Sequence, residues 1–181
     1  MDPAEEFAAV LRERLQPFGC CEFAEGRIGQ VDFAGVLSTP RRADGRTLCA
    51  VARLPEGVCE PAAAGRFVQR VRRSLAKRYA GVRWFKRLGT YTVLLAGSRA
   101  CEKLRGHEGR FIDSSGLHVN VLLGTVLIDL DAFRVNCDNI WGLIDTGDQF
   151  RHIQGAAEEW CRAQRLTRGL ERTSAQVLSV A

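Results

Sequence analysis

Apolar positions recur along this chain with two spacings, and the places where one gives way to the other predict its elements. Phe7, Val10, Leu11 and Leu15 fall three and four residues apart, which makes one helical stripe. Asp2 at the cap position, Pro3 at the first helical position and Glu5 three residues past the cap sign the start of that helix. Pro17 and Gly19 end it. Ile28 to Leu37 and Thr47 to Leu54 are strand-like runs, joined as a hairpin through Asp44-Gly45. A second helix is predicted from Pro61 to Tyr79, with Ala64, Phe67, Val68, Val71, Leu75 and Tyr79 on its apolar face. Val82 to Leu88 and Thr90 to Ala96 read as two strands about Gly89 or one bent strand. Ser98 opens a short helix to Leu104, and Gly106 to Gly116 is a loop. Leu117 to Leu130 and Ile140 to Ile144 read as strands, with a turn at Asn136-Cys137-Asp138-Asn139 between them. A last helix from Asp148 to Arg165 places Phe150, Ile153, Ala157, Trp160 and Cys161 on one face. The tail after Thr167 is weakly patterned and is expected to fray.

Strands outnumber helices and tight turns join several of them, so a strict strand-helix alternation fails. The expectation is an α+β fold in which a mixed or antiparallel sheet packs against about three amphipathic helices. A single domain over residues 1–166 with a weakly structured tail over 167–181 follows from the absence of a convincing linker. With 181 residues and 46% apolar side chains, the composition is that of a folded protein rather than a disordered or fibrous one. The chain opens on acidic residues with no apolar stretch behind them, which argues against an export signal. The apolar run from Val119 to Ile128 is broken by Asn120, Gly124 and Thr125 and falls short of the ~20 residues of a membrane span. The seven cysteines are odd in number and scattered. They read as reduced thiols of a soluble, cytoplasmic protein, with Cys49, Cys101, Cys137 and Cys161 packing as small hydrophobes. No Cys-x-x-Cys occurs, so structural zinc has no support.

Charge changes the picture. Residues 41–110 carry seventeen basic and five acidic side chains, whereas the segments on either side are net acidic. Arg66, Arg70, Arg73 and Lys77 recur four, three and four residues apart, on one stripe of the second helix. Arg83, Lys86 and Arg87 follow within a few residues. Arginine suits phosphate because its planar fork donates two parallel hydrogen bonds. These seven residues are the candidate contacts for an anionic partner, first of all nucleic acid. The competing interpretation is the ordinary solvated face of an amphipathic helix.

Asp129 and Asp131 stand two apart at a strand end and so point to one side, where they could share a divalent cation with Asp145, Asp148 lying close by. That is the pattern of a Mg²⁺- or Mn²⁺-dependent phosphohydrolase or nuclease. The plain alternative is acids leaving the sheet for solvent, or pairing with Arg134 and Arg151. The opening order of helix, strands, helix, strand resembles the restriction-endonuclease-like core. That resemblance implies an Asp on the second strand, for which Asp32 is placed, and a Glu-x-Lys on the third, where the chain reads Cys49-Ala50-Val51-Ala52-Arg53 instead. A Cys101/His118 dyad would need the fold to bring the two together. His107 and His152 have no partner pattern, and Gly97-Ser98-Arg99 lacks the lysine of a phosphate loop.

The sequence therefore favours a non-enzymatic binding module without a cofactor, whose basic segment 66–87 contacts an acidic macromolecule. A metal-dependent nuclease or phosphohydrolase is the first alternative. A subunit that docks on another protein, with its charges serving solubility, is the second.

Overall fold

A computed structural model describes residues 2–20, 22–39, 45–80, 87–107, 120–138 and 147–178. Helix α1 (Pro3–Leu15) starts where Asp2 caps it, the carboxylate accepting from Ala4 N at 2.9 Å. Its buried face is Ala4, Phe7, Ala8, Leu11 and Leu15, whereas Val10 is exposed. Strands β1 (Glu22–Ile28), β2 (Val31–Ser38) and β3 (Gly45–Arg53) form an antiparallel meander. Helix α2 (Pro61–Leu75), continued by a wider π-helical turn over Ala76–Ala80, crosses over to β4 (Arg87–Ala96). Helix α3 (Ser98–Leu104) crosses to β5 (Asn120–Asp129), and a tight turn leads into β6 (Arg134–Asp138). Helix α4 (Gly147–Leu178) closes the described chain.

The six strands lie in sequence order in one sheet. β3, β4 and β5 are parallel, and the flanking pairs β1/β2, β2/β3 and β5/β6 are antiparallel. The expected α+β architecture with a mixed sheet is what forms, with four α-helices among the described residues instead of about three. They cover both faces. α1 and α4 pack over Cys49, Val51, Tyr91, Val93, Val126 and Ile128. α2 and α3 pack over Leu48, Ala50, Leu94 and Leu127 on the opposite side. Alternation along each strand feeds the two cores in turn. No helix among the described residues is long and apolar enough to cross a membrane.

Several boundaries differ from the pattern. Ile28 to Leu37 is a hairpin rather than one strand, because Gly29 at φ 63° turns the chain between β1 and β2. A Cβ at Gly29 would come within 2.8 Å of Ser74 Oγ, so the close approach of this turn to α2 also requires glycine. The turn after β5 falls at residues 130–133, and Asn136, Cys137 and Asp138 belong to β6. Phe133 adopts φ 48° there, a left-handed conformation rare for a bulky residue. Arg165 donates to its carbonyl, Arg168 lies 4.3 Å from its ring centroid, and Trp160 meets the ring edge-on at 5.7 Å. α4 runs well past Arg165, where its apolar face predicted the end. Val82 to Lys86, Gly109 to Gly116 and Ile140 to Ile144 lie outside the described residues.

Candidate nucleic-acid interface

The second helix forms where the sequence places it. Pro61 occupies its first position and Ala64 N donates to Glu60 O at 2.9 Å. Ala64, Phe67, Val68, Val71, Ser74 and Leu75 are buried against the sheet. With that face fixed, the helical period turns Arg66, Arg70, Arg73 and Lys77 outward, and all four are exposed. None of the four makes an ion pair among the described residues. Arg70 rests instead over the Phe67 ring at 5.6 Å. From Pro61 to Cys101 the chain contains no aspartate or glutamate at all, so no carboxylate of this stretch can neutralise the stripe.

Further basic side chains lie on the α2 side of the sheet. Arg46, from the start of β3, reaches the Tyr79 ring at 5.5 Å, and Arg78 approaches the same ring at 5.9 Å. α3 lies on the α2 side of the sheet and exposes Arg99, Glu102 and Lys103, with Arg105 exposed at its C-cap. Lys103 meets Glu60 at 3.5 Å. Arg46, Arg99 and Arg105 were visible as charges in the basic segment, but their membership of this face depends on β3 and α3 lying beside α2. The opposite face is electrically balanced. α1 and α4 together carry seven basic and seven acidic side chains, and Arg14 pairs with Glu159 at 2.9 Å across them. Of the remaining candidates, Arg87 begins β4, and Arg83 and Lys86 lie outside the described residues.

Asp129 and Asp131 do come together, at the carboxyl ends of β4 and β5, but their oxygens are engaged in holding the chain. Asp129 is buried and accepts from Ser98 Oγ at 2.8 Å and from the backbone N–H groups of Asp131 and Ala132, each at 2.9 Å. Asp131 accepts from Ser98 N at 2.8 Å, which caps α3 from across the sheet end. Asp145 lies outside the described residues, and Asp148 stands in the first turn of α4. Among the described residues no group of three or more His, Cys, Asp or Glu is placed to hold a metal ion.

The other constellations are equally local. Asp32 is exposed at the start of β2, opposite Arg27, and the neighbouring Arg53 of β3 pairs with Asp2. β3 reads Gly45–Arg53 and carries neither the acid nor the lysine that a restriction-endonuclease-like signature requires. Cys101 is buried with its thiol 3.8 Å from Ala96 O, and His118 lies outside the described residues. His152 packs its ring 4.6 Å from that of Phe18. Burial raises the Cys49 thiol well above its ordinary range, with Cys20 nearby adding to the effect. Cys161 is pushed up to about 11, by burial first and by Asp129 as a lesser cause, against a lowering by Arg165. Such thiols are poor nucleophiles. Compared with models of protein families, with curated proteins and with solved structures, the chain matches none, so what it does is argued from the α2 face itself.

Proposed function

We propose that this chain is a binding module that engages nucleic acid through the basic face of α2 and α3. One observation carries the reading: Arg66, Arg70, Arg73 and Lys77 stand exposed on one side of α2 with no ion pair among the described residues. An exposed row of like charges costs self-repulsion in the folded state, a cost that an anionic partner relieves. Arginine forks match phosphate oxygens, and phosphate neutralisation supplies most non-specific affinity for nucleic acid. Arg83, Lys86 and Arg87 extend the same segment in sequence and are assigned to the same partner. A reducing, cytoplasmic setting is assigned together with that role, on the odd number and scatter of the cysteines in the sequence.

The double variant Arg70→Glu/Arg73→Glu tests the proposal. Both side chains are exposed, so the unfolding midpoint should stay nearly unchanged, within about 0.5 kcal/mol per site. Binding to a labelled nucleic acid at low salt should weaken at least about tenfold, since two phosphate contacts become repulsions. Retention of full affinity by the variant, or absence of binding by the parent at low salt, overturns the proposal. Addition of Mg²⁺ or Mn²⁺ to the same mixtures addresses the nuclease alternative. Cleavage lost in Asp129→Asn without loss of fold would replace binding by catalysis as the reading.

A further inference from the structure

Helix α4 leaves the body before it ends. Its inner side is buried as far as Trp160 and Cys161. From Arg165 to Leu170 every residue is exposed. Arg165 and Arg168 still reach back to the turn after β5, donating to Phe133 O and Asp131 O. The helix then continues to Leu178, so the stretch from Arg165 onward is about 20 Å long at ~1.5 Å per residue. A single helix of that length is marginal in water and is normally held by packing of an apolar face. Such a face exists, turned away from the body. Among the described residues the exposed large apolar side chains are Val10, Leu166 and Leu170, the last two 65% and 71% exposed. At ~100° per residue, Leu166 and Leu170 stand about 150° around α4 from Arg165 and Arg168.

The sequence carries this seam onward. Leu166, Leu170, Thr173 and Val177 recur four, three and four residues apart, the a/d spacing of a coiled coil. Beside them, at the e and g positions where charges select a partner, stand Thr167, Gly169, Ser174 and Gln176, all uncharged. Arg165, Arg168, Glu171 and Arg172 fall on the outer positions. A second copy of the same segment therefore meets no like charge across the seam, in parallel or antiparallel alignment. A helix with charged e and g positions finds nothing here to pair with. At Gly169 a Cβ would touch nothing within 4 Å, which leaves room for another backbone to approach. From this we infer that α4 pairs with α4 of a second copy of this chain along Leu166, Leu170, Thr173 and Val177, in a two-fold symmetric dimer. Two heptads bury less than the ~800 Å² per partner of a standard interface, so the dimer is weak, with a dissociation constant on the order of 10–100 µM. The inference is independent of the role given to α2, which packs on the opposite side of the sheet.

Sedimentation velocity of the full chain without nucleic acid, from about 1 to about 300 µM, tests the pairing, and the mass should rise from one chain toward two. Helicity by circular dichroism should rise with it, as pairing supplies the packing that the projecting stretch needs. Leu166→Glu/Leu170→Glu should weaken the dimer at least about tenfold and leave the thermal midpoint of the dilute chain unchanged, since both side chains are exposed in the monomer. Thr173→Leu makes the seam wholly apolar and should tighten the dimer at least about fivefold, which keeps the test open should the double variant fail to fold. A chain that stays monomeric throughout leaves this face to a different protein and overturns the inference. A dimer undiminished in Leu166→Glu/Leu170→Glu, or weakened in Thr173→Leu, overturns it as well.

Discussion

Thr92 and Thr125 sit side by side in register on the central parallel pair, both essentially inaccessible to solvent. Among the described residues neither hydroxyl finds a hydrogen-bond partner. Alternation with Tyr91, Val93 and Val126 turns both toward the α2/α3 core, beside Ala50. A buried hydroxyl left unpaired loses its hydration without compensation, at a cost of about 1–3 kcal/mol. Valine has nearly the same shape and favours strands at least as well. Thr92→Val and Thr125→Val should therefore each raise stability, by about 1 kcal/mol, in denaturant titrations monitored by circular dichroism. A loss of stability instead would mean that these hydroxyls hold something that valine cannot, such as a bound water. No periodicity could have flagged this pair, since threonine is an ordinary strand residue and its neglect shows only when two strands are laid together. The same limit applied to Val10, which fits the α1 stripe by spacing yet is exposed, while Ala4 and Ala8 fill the buried side.

Elements were legible in proportion to how many sides of them are covered. Strands β2 to β5 have neighbours on both edges and helices on both faces, and their apolar runs announced them. Among the described residues β1 and β6 are the outermost strands of the sheet. Such strands tolerate Glu25, Gly26 and Arg27, or Arg134, Asn136 and Asp138, because one side of the backbone needs no partner strand. Hence β1 passed unnoticed and β6 read as a turn. The carboxylates at the end of β5 illustrate a related ambiguity. A pair of aspartates two apart signals cation binding and turn construction equally well, and the distinction is made by Ser98, thirty-one residues earlier. Removing the Asp129 carboxylate leaves Ser98 Oγ and two backbone N–H groups without their acceptor. Asp129→Ala should cost about 2–4 kcal/mol of stability, and Asp131→Ala, which frees one exposed cap, about 1 kcal/mol, by thermal or urea unfolding. Full stability in Asp129→Ala would contradict the structural role and return the pair to the list of candidate ligands.

At the scale of the whole molecule, the charge skew was plain in the sequence, whereas the side of the sheet on which each helix lies was not. α2 and α3 fall on one face and α1 and α4 on the other, so the acid-free helix α2 and the charge-balanced pair lie on opposite sides of the sheet. Both layers share the same six strands, so neither core can open without exposing the other side of those strands, and one cooperative unfolding transition is expected. Cys161 supplies a test of that coupling from the α1/α4 core. Its thiol keeps its proton to about pH 11 in the folded chain, against an ordinary value of 9.0. The unfolded chain therefore releases that proton first. The stability owed to the neutral thiol is complete below pH ~9 and is lost as the pH rises through ~11, an effect on the order of 2 kcal/mol for two pKa units. Urea midpoints should fall over this window, and they should fall less in Cys161→Ala. The difference between parent and variant isolates this thiol, because every other ionisable group is common to both. If the sheet binds the two layers into one unit, probes placed on the α2 face will report the same shift in midpoint as probes beside Trp160. Separate transitions would mean that the α2/α3 layer can loosen on its own, and the shared sheet would not couple the two cores.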